Sequence, residues 1–169
     1  NNKSLPEGAK KAEIVRVRFG TRMPVYLPQR ITPDLAKILS EFREKALKIG
    51  ISQFIIQTHF ISPMEVTPEA NIAIQRLIAA GWIVTNQLVF TTGASRRGHS
   101  AQLRKVLNDV GILPYYTFTV KGYMENNFSF TPNARVVQEE LEEKVYGQVP
   151  PDQYATIKDF SAEAKNSVE

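Results

Sequence analysis

The residues of this chain best placed to do chemistry are Thr21 and Arg22, Thr58 and His59, Asn86 and Gln87, and Lys121. All but the amide pair come directly after a short run of β-branched and aromatic residues, and the amide pair interrupts such a run. In parallel α/β sheets, ligands gather beyond the carboxyl ends of the strands, so position alone singles out these residues. No nucleophile–histidine–acid arrangement can be traced. Spacing alone does not separate His59 or Arg22 from ordinary loop surface groups, and buried amides more often serve a neighbouring loop than a ligand. Both readings stand at this level.

Composition narrows the chemistry. The 169 residues include no cysteine, which removes disulfides, thiolate metal sites and a cysteine-ligated cluster from what this chain can itself build. Its two histidines, His59 and His99, are too few for a zinc site of their own. The net charge of +4 is mild and spread along the chain, so no nucleic-acid partner is expected. No apolar run approaches the roughly 20 residues that cross a bilayer, and the polar start lacks an apolar signal core. The expectation is therefore no membrane partner and a cytoplasmic location. Glu139, Glu140, Glu142 and Glu143 read as a solvated helix face.

The elements that must position these residues announce themselves through a repeated phrase. Thr32-Pro33-Asp34, Thr67-Pro68-Glu69 and Thr131-Pro132-Asn133 each begin a helical pattern. Threonine can cap the free N–H groups of a first turn, proline at the first helical position loses no hydrogen bond, and an acid suits the positive end of the dipole. Gly50, Gly81, Gly111 and Gly147 sit where these patterns stop. Leu35, Ile38, Leu39, Phe42 and Ala46 recur at the spacing of one buried helical face. So do Ile72, Ala73, Leu77 and Ala80, then Leu103, Val106, Leu107 and Val110, then Val136, Val137, Leu141 and Val145.

Between the helices, Ile14 to Phe19, Phe54 to Gln57, Ile83 to Phe90 and Tyr115 to Val120 read as strands. The alternation predicts an α/β fold of about four parallel βα units with right-handed crossovers, a partial (β/α) TIM-type barrel or a small open sheet. Phe54-Ile55-Ile56 and Leu88-Val89-Phe90 read as strands buried on both faces, and Tyr115, Tyr116 and Phe118 as core. The period of two sends Asn86 and Gln87 to opposite faces. The loop after Phe19 holds no phosphate-binding glycine pattern. Residues 1–12 are expected to form an N-terminal polar segment, 13–147 the half-barrel βα domain and 148–169 a C-terminal linker or tail.

Ile14-Val15-Arg16-Val17-Arg18-Phe19-Gly20-Thr21-Arg22-Met23-Pro24-Val25, followed by Leu27-Pro28-Gln29-Arg30-Ile31-Thr32-Pro33, resembles a signature of the lysine 2,3-aminomutase family of radical SAM proteins. Thr58-His59-Phe60 with Pro63 and Glu65-Val66-Thr67, then Asn86-Gln87, then Pro114-Tyr115-Tyr116 continue the match in order, from about Glu13 to about Gly147. The resemblance implies the later half of a radical SAM barrel. Such a barrel binds S-adenosylmethionine on a [4Fe–4S] cluster, carries pyridoxal phosphate, and moves an amino group within an amino-acid substrate through a 5′-deoxyadenosyl radical. It implies that His59 and Gln87 contact S-adenosylmethionine, with Thr21 and Arg22 beside them.

The departures bear on the same expectations. The family's cluster cysteines and its G-G-D motif would precede Asn1, and its pyridoxal lysine is not recognisable between Gly147 and Glu169. Lys121 stands where lysine-acting members carry a carboxylate, and would repel a substrate ammonium. Ala94-Ser95-Arg96 replaces the usual loop sequence after Gly93. The isolated chain is therefore expected to be inactive, with the outer edge of its first strand free to pair in a homo-oligomer or to be covered by the N-terminal segment. Two other readings remain at this stage: a radical SAM enzyme of other chemistry without pyridoxal phosphate, and a non-catalytic binding module derived from the barrel.

Overall fold

The computed structural model describes residues 4–119, 128, 129, 131, 135–139 and 141. Four strands, β1 (Arg16–Gly20), β2 (Gln53–Thr58), β3 (Ile83–Val89) and β4 (Leu113–Phe118), form one sheet in the order β1-β2-β3-β4 with every pair parallel. A single turn, α1 (Met23–Tyr26), and the helices α2 (Pro33–Leu47), α3 (Pro68–Ala79) and α4 (His99–Asp109) connect them. This is the α/β arrangement of a partial βα barrel. Residues 135–139 and 141 are helical, within the stretch expected to hold the helix after β4. Lys121, Gly147 and the 148–169 tail lie outside the described residues.

Local chemistry accounts for the helix boundaries. The Thr32 hydroxyl accepts from the Leu35 N–H at 3.2 Å, and that of Thr67 from the Ala70 N–H at 3.2 Å. Gly50, Gly81 and Gly111 take φ of 98°, 82° and 81°, the left-handed conformation that lets a helix stop and turn into the next strand.

The core lies on one side of the sheet. Phe54 and Ile56 of β2 and Val84 and Leu88 of β3 are buried against Ala70, Ala73, Ile74 and Leu77 of α3 and Leu103 and Leu107 of α4. Each such Leu, Ile or Phe contributes about 1.5–3 kcal/mol relative to exposure. Near the β1 edge the core is aromatic: Trp82 stacks on Phe19 with centroids 5.3 Å apart and meets Phe54 edge-on at 5.4 Å. The Trp82 indole N–H donates to the Leu39 carbonyl at 3.2 Å, which lets it lie buried without an orphan donor.

The alternate strand positions face an open side, and here several expectations change. Ile55 and Val89 are only half-buried, so β2 and β3 are covered on one face rather than two. Tyr115, Tyr116 and Phe118 are 61%, 54% and 39% exposed rather than core, because β4 is the last strand of the described sheet and no helix among the described residues covers that side. On the helices, Ile38 (61%), Phe42 (40%) and Ile72 (51%) are more open than their spacing predicts. Periodicity names a face but not whether another layer covers it. Of the glutamates expected to form a solvated face, Glu139 departs from that reading, while Glu140, Glu142 and Glu143 lie outside the described residues. At 2% exposure, its carboxylate accepts from the Gly98 N–H at 2.8 Å and from the Arg135 guanidinium at 2.6 Å. That guanidinium also donates to the Ser95 carbonyl at 2.7 Å, so the pair ties the last described helical residues to the start of α4.

Among the described residues the outer edge of β1 has no strand partner, and the N-terminal segment does not pair with it. No helix among the described residues is long and apolar enough to cross a membrane.

Candidate functional site

Because all four strands run parallel, their carboxyl ends share one rim, and Thr21, Arg22, Thr58 and His59 fall on it. After β1, the Thr21 N–H donates to the Gln57 carbonyl at 2.9 Å, and its hydroxyl accepts from the Met23 N–H at 3.0 Å, which starts the α1 turn. Thr21 thereby shapes the loop. Arg22 follows, its guanidinium 4.2 Å above the Tyr26 ring and 3.4 Å from the Glu65 carboxylate.

The loop after β2 is held on every side of His59. Asn86 supplies one clamp: its Oδ1 accepts from the Phe60 N–H at 2.6 Å and the Thr58 hydroxyl at 3.3 Å, and its Nδ2 donates to the Phe60 carbonyl at 3.0 Å. Glu65 supplies another, accepting from the Ile61 and Ser62 N–H groups at 2.6 and 3.2 Å and closing a capping box with Ser62. His99, at the start of α4, places its Nε2 3.0 Å from the Ile61 carbonyl. Asn86 is thus the loop amide, on the helix side of β3, and Gln87 faces the open side.

With its neighbours fixed, His59 has no hydrogen-bond partner at Nε2, although that atom is shielded from solvent. The Arg22 Nε is orphaned in the same way. Burial, and then the Arg22 charge, lower the His59 pKa below its ordinary value of 6.5, against a smaller opposing pull from Glu65. The imidazole is therefore neutral at pH 7, with one nitrogen able to donate and the other to accept. Thr58 pairs with Asn86 in the sheet register, so His59, one residue further on, stands level with Gln87. Gln87 is half-buried and its carbonyl accepts from the Gln57 amide.

The structure thus brings His59, Arg22 and Gln87 to one rim. It leaves Thr21 with a backbone role, and Lys121 lies outside the described residues. Two further residues enter the site. Glu65, which the sequence offered only as part of the family match, ends a Ser62-x-x-Glu65 spacing that could have marked it as a capping-box residue; Gln57 carried no signal beyond being an amide inside an apolar strand. A cavity of about 280 Å³ bordered by Leu103, Leu107 and Pro114 lies on the other, helix-covered side of the sheet, next to the register shift at Asn86/Gln87.

The unpaired His59 nitrogen, the Arg22 N–H and the Gln87 amide fit a ligand rich in acceptors and donors, as S-adenosylmethionine is. Iron is different. The chain has no cysteine, so it offers no thiolate to ligate a cluster.

No protein-family model matches the chain. It is 43% identical over 141 residues, or 83% of its length, to an uncharacterised KamA family protein of Methanocaldococcus jannaschii. It is 37% identical over 103 residues, 60% of its length, to an L-lysine 2,3-aminomutase of Clostridium subterminale. A glutamate 2,3-aminomutase of Clostridioides difficile is 32% identical to it over 126 residues, 72% of its length. These matches span 22%, 23% and 28% of those three relatives, so the chain accounts for about a quarter of the curated relatives it matches. Together with the four-strand parallel sheet, they identify the chain as a segment of the KamA family of lysine 2,3-aminomutase-like proteins.

Proposed function

We propose that this chain forms one wall of the S-adenosylmethionine site in an amino-acid aminomutase of radical SAM type. The observation that carries the reading is the shielded, unpartnered His59 Nε2 at the rim, beside Arg22 and level with Gln87. A buried polar atom without a partner costs about 1–3 kcal/mol, and a ligand that pairs with it recovers that cost. When bound, S-adenosylmethionine on an iron–sulfur cluster supplies the radical that starts amino-group migration, and pyridoxal phosphate carries the amino acid. This chain's part is to bind and orient. His59 offers a neutral imidazole, Arg22 an N–H steered by Glu65 and Tyr26, and Gln87 an amide.

Relatives named for lysine and for glutamate leave the substrate class broad, and Lys121 argues against a substrate with a distal ammonium, which it would repel. Without cluster ligands, the 169 residues alone do not turn over on this reading. The free β1 edge is where the sheet is completed, by other strands of a longer chain or by a second copy.

The test is calorimetric titration of S-adenosylmethionine into the intact, cluster-loaded protein and into its His59→Ala/Gln87→Ala double variant. Binding that weakens by about tenfold or more in the variant supports the reading. Equal affinity in both proteins removes these residues from the site, and no binding to the wild type removes the reading altogether.

A further inference from the structure

Gln57 and Gln87 share the open side of the sheet at diagonal positions: Gln57 is paired with Thr85, and Gln87 lies two residues further along β3, paired with Tyr116 of β4. At that separation two long side chains meet, and the Gln57 Nε2 donates to the Gln87 Oε1. A glutamine amide is nearly symmetric in shape but opposite in chemistry at its two ends, so an unheld side chain can offer either end. Here the carbonyl end of Gln87 is occupied, and its N–H end has no partner among the described residues.

The partner of Gln57 on the other side is Gly20. A Cβ there would meet nothing within 4 Å, and its φ is not in the left-handed range, so neither packing nor backbone requires a glycine. The missing side chain leaves the space beside the amide pair open.

We propose that Gln57 is a positioning residue: it fixes the amide of Gln87 so that Nε2, and not Oε1, faces the ligand, which must present an acceptor there. The inference rests on the S-adenosylmethionine reading above and deepens it.

Three substitutions separate the chemistry. Gln57→Lys keeps a donor, Gln57→Leu keeps neither group, and Gln57→Glu keeps only an acceptor, which turns the Gln87 amide around. The readout is the affinity for S-adenosylmethionine of the intact protein with its cluster left oxidised, so that nothing turns over. Expected losses are about threefold or less for Lys, about fivefold for Leu and about tenfold for Glu. The same three are made in a Gln87→Ala background, where only the added charge acts, and the excess over that background is the quantity compared.

An excess in the order Glu, Leu, Lys supports the proposal. The reverse order means that Gln87 donates to Gln57 and overturns it. Equal losses in both backgrounds also overturn it, because Gln57 then acts without Gln87. A flat Gln57 series alongside strong loss in the His59→Ala/Gln87→Ala variant sinks this inference alone. Absent binding to the wild type sinks the parent reading with it.

Discussion

Asn86 and Gln87 are consecutive amides on β3, yet one is 3% exposed with two hydrogen bonds to Phe60 in the loop after β2 and one from Thr58 at the end of that strand, while the other is half-buried and bonded to a single side chain. The same contrast runs through the two central strands. In β2 and β3 the positions in phase with Asn86 pack under the helices and are closed, whereas Phe19 and Pro114 on the outer strands are exposed; of the positions in phase with Gln87, Arg18 and Tyr116 lie open, Gln57 is half-buried and Thr85 is buried. One side of the strands stabilises the fold and holds the loops, and the other presents groups with bonding capacity to spare. Two residues of the same chemistry can therefore have different duties, and the phase of the strand decides which.

The largest effect that separates the two sides is on stability. Asn86→Leu leaves the buried Phe60 N–H and C=O without partners, and should cost about 3 kcal/mol in urea unfolding of the chain. Gln87→Leu loses one bond on a half-open face and should cost no more than about 0.5–1.5 kcal/mol. Similar losses at the two positions would erase the division of labour.

A second effect belongs to the open side. Gly20→Val adds a residue that favours strands at a position where a Cβ meets nothing within 4 Å, so the fold should keep its stability to within about 0.5 kcal/mol. If the ligand lies over the rim beside Gln57, the affinity of the intact protein for S-adenosylmethionine should fall about tenfold. Unchanged affinity would place the ligand away from β1 and leave the Gln57–Gln87 pair as the nearer wall.

Much of this was legible from the sequence, for identifiable reasons. Thr32 and Thr67 cap their helices, and Gly50, Gly81 and Gly111 end theirs, because these choices are settled within a few residues of chain. The opposite facing of Asn86 and Gln87 followed from the strand period. Which of them faced the open side did not, since a period carries no phase until the helices are placed. Glu139 was misread for a related reason: a run of glutamates looks solvated until the Gly98 N–H and Arg135 are brought to one of them by residues about 40 positions away and one turn away. Ile38 and Phe42 sat on a correctly drawn apolar face, but local pattern cannot say whether a layer covers it. Gln57 was missed because its role depends on a diagonal neighbour in another strand.

The smallest effect tests whether His59 belongs electrostatically to the rim. Burial and the Arg22 charge favour its neutral form, so the folded chain takes up this proton less readily than the unfolded one. The sign follows. The folded state has its full stability above the ordinary value of 6.5 and loses some as pH falls through the lowered pKa, where the ring must charge beside Arg22. His59→Asn should remove that part of the pH dependence in unfolding curves collected below pH 6.5, whatever it does to stability at pH 8. Glu65→Gln should steepen it, because the carboxylate is what partly offsets the Arg22 charge. Since the ring is partly exposed, both changes should be modest. If the slope survives His59→Asn, the titrating group lies elsewhere and His59 is a solvated loop residue; if it disappears and Glu65→Gln steepens it, the imidazole, Arg22 and Glu65 form one electrostatic unit at the mouth of the site.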